Sequence, residues 1–213
     1  MPQERLRKLV VATHNRKKAG EMIQILSKRF PGVEFLTLAD YPNAPEPEET
    51  GMTYAENASI KALSAAKATG EWSLADDAGL EIDAMGGEPG LHSKRFEGEE
   101  TPFPEKMRRI LERMKDTPEA ERDARFRCCV VLASGDGNPT VFEATCEGRI
   151  ALAPSGVGGF GYDPIFFLPE QGCTMADLTA EEKHAISHRG KVLKMAGDYL
   201  TVNFKLPEPD AVG

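Results

Sequence analysis

Residues 73–90 read SLADDAGLEIDAMGGEPG, and in this stretch a short apolar run meets two adjacent carboxylates, Asp76 and Asp77. A second alternation of apolar and acidic residues follows Gly79, and glycines and a proline close the stretch. Two neighbouring carboxylates at the mouth of a strand are costly to hold together unless a cation or a proton joins them. The alternative is a solvated turn, because Asp and Gly favour turns for local reasons. The stretch therefore predicts either a cation site or an acidic turn.

The overall composition is that of a soluble globular protein. The chain has 213 residues, of which 40% are hydrophobic and 28% charged, and this length suits one domain with a substantial core. A formal net charge of -8 argues against an electrostatic footprint for duplex nucleic acid or an anionic membrane. The N-terminus lacks the apolar run of a signal peptide, and no apolar segment approaches the ~20 residues that span a bilayer. The four cysteines show no metal-ligand spacing, so we expect reduced thiols in a cytoplasmic protein.

A strand, a polar turn and a helix precede the acidic stretch. Residues 8–13 (KLVVAT) form an apolar run of the buried-strand kind, and apolar residues at helical spacing follow the HNRKK segment. Asn15 is the predicted N-cap of that helix. Backbone N–H groups at such a helix end can bind an anion, whereas Lys17 and Lys18 in the first turn oppose the helix dipole. The two lysines are therefore either phosphate ligands or solvated side chains.

A second helix follows an acidic, proline-rich loop at residues 39–51. The loop carboxylates are solvated unless one of them joins a metal site. Thr53 and Glu56 have the form of a capping box, so an alanine-rich helix is expected from here to a stop at Gly70. Lys61 on this helix is an ordinary solvated lysine unless it lies beside the acidic stretch.

The remaining chain predicts further strands and one more amphipathic helix. Strands are expected at residues 33–38, 72–75, 80–84, 125–133 and 140–151, the last two as a hairpin around SGDGNP. Pro104 fits the first turn of a helix that buries Met107, Ile110, Leu111 and Met114. Residues 205–213 are expected to be a frayed tail.

Two late segments carry side chains suited to a nucleotide. Residues 156–167 read GVGGFGYDPIFF; the glycines allow a ligand to approach the backbone, Phe160 can stack on a base, and Asp163 can accept a hydrogen bond from it. The alternative is a glycine-rich bend with core aromatics. Residues 178–191 read LTAEEKHAISHRGK and are rich in hydrogen-bond donors: Lys183, Ser187, His188 and Arg189. Such donors suit phosphate and carbonyl oxygens.

Five motifs follow one another along the chain: ATHNRKK, ETGMTYAENASIKA, LADDAGLEIDAMGGEPG, GFGYDPIF and EEKHAISHRGK. With them the sequence resembles the inosine/xanthosine triphosphate pyrophosphatase family over residues 9–200. The resemblance implies a two-lobed α/β fold, with a long mixed β-sheet flanked by helices and a nucleotide cleft between the lobes of one domain, residues 1–213. It also implies a homodimer that hydrolyses non-standard purine nucleoside triphosphates (ITP, dITP and XTP) to the monophosphate and pyrophosphate with Mg²⁺.

The resemblance also implies roles for individual residues. Asp77 is the predicted general base, which orients or deprotonates the attacking water. The predicted ligands of Mg²⁺ are Glu49, Asp77 and Asp76. The predicted substrate-binding residues are Thr13, His14, Asn15, Arg16, Lys17, Lys18, Lys61 and Ala78 on the phosphate side, and Phe160, Gly161, Tyr162, Asp163, Lys183, His188 and Arg189 around the base and sugar. The chain departs from the family pattern at His14, where Gly is usual, and at Ala78, where Ser or Thr is usual.

Physical chemistry supports these roles independently of the resemblance. Phosphoryl transfer needs positioning and charge neutralisation, which Lys18 and Lys61 can supply from one side. Mg²⁺ takes a few carboxylate oxygens together with waters and substrate phosphates. Hypoxanthine and xanthine carry a carbonyl at C6 where adenine carries an amino group, so a donor such as Arg189 can discriminate between them.

Two other functions remain open from the sequence. A non-catalytic protein that binds or senses purine nucleotides could have the same cleft, and the departures at His14 and Ala78 leave room for it. Nucleic-acid binding through the Lys and Arg clusters fits poorly with a net charge of -8.

Overall fold

A computed structural model describes residues 5–135 and 137–206 of the chain. Within these residues there are five α-helices: α1 (Arg16–Arg29), α2 (Tyr54–Thr69), α3 (Phe103–Arg113), α4 (Ala180–Ile186) and α5 (His188–Asn203). The described strands are β1 (Lys8–Val11), β2 (Glu34–Thr37), β3 (Trp72–Ile82), β4 (Asp123–Ala133), β5 (Thr140–Ile150), β6 (Phe166–Leu168) and β7 (Cys173–Thr174).

The strands form one mixed sheet in the order β2-β1-β3-β4-β5-β6-β7. Strand β1 pairs in parallel with β2 and with β3, because a helix separates each pair along the chain. Strand β6 pairs antiparallel with β5, across the connection formed by residues 151–165, and with β7 after a short turn. The predicted mixed sheet with flanking helices is therefore confirmed.

The described residues group into two compact units. The first unit comprises the described parts of Met1–Asp77, Cys129–Glu143 and Val192–Gly213, and the second comprises Ala78–Cys128 and Ala144–Lys191. In the first unit, α2 begins at the predicted Thr53–Glu56 capping box and ends at Gly70, which adopts the left-handed conformation. One face of this alanine-rich helix is buried, and it consists of Ala58, Ala62, Ala65 and Ala66. Alanines there allow close packing of the helix.

The core of the second unit is a cluster of aliphatic, aromatic and sulfur-containing side chains. Met107 and Ile110 of α3 and the following Met114 belong to it, and Leu111 packs against it, as the helical spacing predicts. Leu80 and Ile82 of β3 enter the same cluster. The amphipathic pattern of residues 103–114 therefore reports the buried face correctly.

Strand β3 excludes the acidic turn, which was one of the two alternatives for this stretch. It runs without interruption from Trp72 to Ile82, so Asp76 and Asp77 lie within a strand and are 1% and 8% exposed. The strand predicted at 80–84 is thus the continuation of the one at 72–75. Further along the stretch, Glu81 is paired with Arg127. Buried carboxylates need compensating partners, and those of Asp76 and Asp77 define the candidate site.

The predicted hairpin is confirmed, since β4 and β5 are neighbours in the sheet, although Asp136 in its loop lies outside the described residues. The predicted frayed tail, residues 205–213, also lies outside them except for Lys205 and Leu206. In the described part of the chain, no helix combines the length and apolar character needed to cross a membrane. All four cysteines have free thiols.

A buried arginine connects the ends of several elements in the second unit. Arg122 is 2% exposed, and its guanidinium donates to the carbonyl oxygens of Met114 at 2.7 Å, Ile150 at 2.8 Å and Ala151 at 3.1 Å. Burial lowers the pKa of this guanidinium from its usual value.

We expect Arg122→Leu to lower the free energy of unfolding by about 3 kcal/mol, because it leaves buried carbonyl groups without donors. Urea denaturation measures the change. The matched control is Arg109→Leu, which removes an exposed ion pair with Glu105 and should change the stability far less. Equal effects of the two substitutions would contradict the role assigned to Arg122.

Candidate active site

An acidic centre in the first unit surrounds the ammonium group of Lys61 on α2. Lys61 Nζ donates to Asp77 Oδ1 at 3.1 Å and to Glu49 Oε1 at 3.2 Å. Asn57, one helical turn before Lys61, donates through Nδ2 to Asp77 Oδ2 at 3.4 Å. Both oxygens of Asp77 are therefore in contact with α2, and Lys61 connects Asp77 to the loop that carries Glu49.

A second lysine pairs with the other carboxylate of the strand. Lys18 Nζ, from the first turn of α1, lies 3.3 Å from Asp76 Oδ2, and the Asp76 side chain is fully buried. Consecutive residues of a strand point to opposite faces, so Asp76 and Asp77 take different partners. The two lysines thus compensate two buried charges that would otherwise repel each other.

Burial and neighbouring charges set the protonation of this centre. Burial raises the pKa of Asp77 above its ordinary value, while the ammonium groups of Lys61 and Lys18 act in the opposite direction. For Lys61, burial alone would lower the pKa, but the carboxylates of Asp77, Asp76 and Glu49 outweigh it and raise the pKa. Lys61 is therefore charged at neutral pH, and Asp77 is a stronger base than a solvated aspartate.

A cavity of about 80 Å³ in the first unit brings several predicted phosphate ligands together. Its lining includes Thr13, His14, Asn15, Lys18, Glu49, Lys61 and Asp77. Arg16 and Lys17 are exposed and do not line it. Their role in substrate binding stays a prediction.

The start of α1 differs from the expected open anion site. Asn15 is the N-cap, as predicted, and its Oδ1 accepts hydrogen bonds from the backbone N–H groups of Lys17 at 3.0 Å and Lys18 at 3.2 Å. These two donors are thus already engaged by the cap. His14 lies 3.9 Å from Glu46 of the acidic loop, measured from Nε2 to Oε2. An anion at this end of the cavity would therefore meet the side chains of Thr13, His14 and Lys18 first.

The carboxylates of the centre fit a Mg²⁺ ion that binds together with a phosphate. Mg²⁺ in phosphate sites uses one or two carboxylates plus waters and phosphate oxygens. Glu49 and Asp77 meet that requirement, since both reach the same ammonium group. Across residues 5–135 and 137–206, no group of three or more His, Cys, Asp or Glu side chains could hold a metal by itself. The predicted trio of Glu49, Asp76 and Asp77 is therefore not such a group, and Asp76 is turned to Lys18.

The second unit contains a separate cluster around Phe160. Asp163 Oδ2 accepts hydrogen bonds from Lys183 Nζ at 2.7 Å and from the backbone N–H of Phe160 at 2.8 Å. The cations of Lys183 and Arg189 lie 4.6 Å and 5.4 Å from the centre of the Phe160 ring. A Cβ at Gly159 would lie 2.1 Å from Asp163 Oδ2, so only glycine permits this turn. Asp163 thus holds the backbone of Phe160, while the cations of Lys183 and Arg189 lie beside its ring.

Three other predicted base-side residues lie in or beside the core of the second unit. Tyr162 donates from its hydroxyl group to the carbonyl oxygen of Ser93 at 2.8 Å and is 3% exposed. Burial raises the pKa of this phenol above its usual range. His188 is 4% exposed and stacks on Phe126, with ring centres 4.7 Å apart. Gly161 adopts positive φ, which a glycine accommodates without strain. Their direct contact with a base stays a prediction.

The relatives of this chain support one family. The sequence pattern of the Ham1 family matches residues 9–199. The chain belongs to the Ham1 family. It is 48% identical over 189 residues to a protein from Geobacillus kaustophilus, covering 88% of this chain and 91% of the relative. It is 45% identical over 195 residues to one from Halalkalibacterium halodurans, covering 92% of this chain and 100% of the relative. Both relatives are named dITP/XTP pyrophosphatase.

The fold is also that of a solved Ham1 structure. A HAM1 protein from Coxiella burnetii superposes with a TM-score of 0.83 at 39% identity, covering 92% of this chain and 100% of that protein. The resemblance read from the five sequence motifs is therefore confirmed at the level of family and fold.

Asn57 is the residue of this Ham1 site that the sequence-based assignment missed. The signal was present, since Asn57 precedes Lys61 by four residues and so shares its face of α2. Its buried amide contacts Asp77 directly.

Ala78, which replaces the usual Ser or Thr, follows Asp77 in β3 and is partly exposed.

The junction between α4 and α5, which positions His188 and Arg189, depends on a glycine. A Cβ at Gly190 would lie 1.8 Å from the backbone carbonyl oxygen of His184. We expect Gly190→Ala to lower the free energy of unfolding by about 3 kcal/mol, because two helix ends must separate to admit the methyl group.

Thermal unfolding of Gly190→Ala and of Gly20→Ala tests this expectation. Gly20 lies within α1 with no atom within 4 Å of an added Cβ, so alanine there should stabilise the protein by about 1 kcal/mol. A Gly190→Ala protein with wild-type stability would contradict the close approach.

Proposed function

We propose that this chain hydrolyses the non-standard purine nucleoside triphosphates ITP, dITP and XTP to the monophosphate and pyrophosphate. The observation that carries the proposal is the Asp77–Lys61–Glu49 centre of a Ham1 chain, in which the side chains of Asp77 and Lys61 are largely buried. The names of the relatives support the choice of substrate. Such a reaction removes these nucleotides from the precursor pool.

Asp77 acts as the general base in this proposal. Burial raises the pKa of its carboxyl group, which brings its basicity closer to what proton abstraction from water requires near neutral pH. Lys61 holds one carboxylate oxygen and keeps the group ionised. Lys18 and Lys61 offset the negative charge of the phosphates, which is the main task of a protein in phosphoryl transfer.

Mg²⁺ is the proposed cofactor, with Glu49 and Asp77 as its protein ligands. When bound, the ion would neutralise phosphate charge and lower the pKa of a coordinated water. Asp76 is not a metal ligand in this proposal. It pairs with Lys18 and so fixes the first turn of α1 beside the site.

The Phe160 cluster is the proposed base site. Phe160 offers a face on which a purine can stack, and Asp163 holds its backbone by accepting from the Phe160 N–H. Arg189 is the proposed donor to the C6 carbonyl of hypoxanthine or xanthine, because adenine would leave that donor facing an amino group. The predicted base and sugar contacts of Gly161, Tyr162, Asp163, Lys183 and His188 stay part of this proposal.

A substrate panel with pyrophosphate detection tests the proposal. With Mg²⁺, we expect ITP, dITP and XTP to yield the monophosphate and pyrophosphate, with much slower release from ATP, and EDTA to stop the reaction. Tight binding of ITP without either product would contradict the enzyme and favour a nucleotide sensor. Release of orthophosphate instead of pyrophosphate would contradict the reaction type.

The resemblance to the family also motivates a cytoplasmic homodimer. We propose it on that ground, and the four free cysteines agree with a reducing compartment. Sedimentation velocity of the purified protein tests the dimer, and a single monomer peak at micromolar concentration would contradict it.

A further inference from the structure

We infer that Asn57 is a positioning residue that holds the general base Asp77 and the loop of Glu49 in one arrangement. Only the catalytic consequence of this inference rests on the proposed function. The bridge that Asn57 forms between the loop and Asp77 consists of two hydrogen bonds of the structure. Asn57 is 2% exposed in the first turn of α2. Its amide is therefore removed from water and depends on partners within the protein.

Both ends of the Asn57 amide are used. Oδ1 accepts a hydrogen bond from the backbone N–H of Gly51 at 2.8 Å, and Nδ2 donates to Asp77 Oδ2 at 3.4 Å. A carboxamide presents an acceptor and a donor side by side, which neither a carboxylate nor an alkyl group does. The residue type at this position thus matches a bridge between an N–H group and a carboxylate.

The loop approaches α2 so closely that only glycine fits at position 51. A Cβ there would lie 2.6 Å from Glu56 Cβ and 2.7 Å from Asn57 Oδ1. The next two backbone N–H groups, of Met52 and Thr53, donate to Glu56 Oε2 at 2.6 Å and 3.2 Å. Glu56 therefore anchors the same loop without contacting Asp77, which makes it a natural control.

The bridge fixes the orientation of the catalytic carboxylate. Lys61 holds Asp77 Oδ1 and Asn57 holds Oδ2, so the plane of the carboxylate is set from α2. The same loop carries Glu49 two residues before Gly51, and Glu49 reaches the same Lys61. Asn57 thereby couples the position of the base to the position of the second acidic residue.

Kinetics of Asn57→Asp separate the two hydrogen bonds. Aspartate keeps the acceptor for Gly51 but replaces the donor to Asp77 with a second carboxylate, which repels it. We expect kcat for ITP to fall about 100-fold with KM unchanged, as for a misplaced catalytic group. The Glu56→Ala control should retain a kcat near that of the wild type, although its loop is less firmly anchored. Wild-type kcat in Asn57→Asp, or an equal loss in Glu56→Ala, would overturn the inference.

Amide hydrogen exchange tests the bridge without relying on activity. If Asn57 connects Asp77 to the loop, Asp77→Ala should accelerate exchange of the Gly51 N–H, because its acceptor is no longer held in place. Asp83→Ala, which removes a carboxylate paired with Arg125, should leave it unchanged. Unchanged Gly51 exchange in Asp77→Ala would overturn the bridge. Should the wild type release no pyrophosphate, the proposed function fails, and this measurement still decides the bridge.

Discussion

Asp77→Asn is expected to reduce hydrolysis of ITP and dITP by about 10²–10⁴-fold, the range that general-base catalysis contributes. The amide cannot accept a proton from water, although its size matches that of the carboxylate. The substitution should not unfold the protein, because it removes a charge that burial already disfavours. Lys61 keeps Glu49 as an ionic partner.

Steady-state kinetics and a melting curve of the same preparation check this expectation. The matched control is Asp83→Asn in the same acidic stretch, six positions after Asp77. The carboxylate of Asp83 pairs with Arg125 on the surface of the second unit. The control should keep the wild-type rate. Full activity of Asp77→Asn would remove Asp77 from the role of base.

Lys183→Met is expected to lower the free energy of unfolding by about 3–5 kcal/mol, the cost of breaking a buried ion pair from one side. The side chains of Lys183 and Asp163 are 7% and 4% exposed, so solvent cannot replace the lost ammonium group. The loop of Phe160 should loosen as well, because Asp163 also accepts from its backbone N–H. A raised KM for ITP would accompany the loss of stability.

A double variant shows how much of the lost stability comes from the unpaired carboxylate of Asp163. Adding Asp163→Asn to Lys183→Met removes the unpaired carboxylate, so part of the lost stability should return in urea denaturation. If the double variant is less stable than Lys183→Met by the full effect of a second independent substitution, the two side chains do not act as a pair.

Local features of the fold could be predicted from the sequence because few neighbouring residues decide them. Asn15, the Thr53–Glu56 capping box and Gly70 each act within one helical turn, and the structure confirms all three. The face of α3 follows from spacing alone. The family was readable because five short motifs occur in a fixed order, although each is weak by itself.

Contacts between distant segments could not be predicted in the same way. The Asp76–Asp77 pair left a cation site and an acidic turn open, because the sequence could not show that lysines from two helices compensate the two charges within a continuous strand. Asp163 was predicted as a ligand for a base, and its hydrogen bonds with Lys183 and the Phe160 N–H could not be predicted from the sequence. The role of Asn57 depends on a loop six residues before it and a strand twenty residues after it. Only the fold brings such partners together.

Chromatographic analysis of the products formed from ITP and Mg²⁺ is the most direct measurement of the proposed reaction. The wild-type protein is expected to yield IMP and pyrophosphate in equal amounts, and Asp77→Asn is expected to form both products about 10²–10⁴-fold more slowly. Formation of IDP and orthophosphate, or an unchanged ITP peak with the wild-type protein, would contradict a pyrophosphatase built around Asp77.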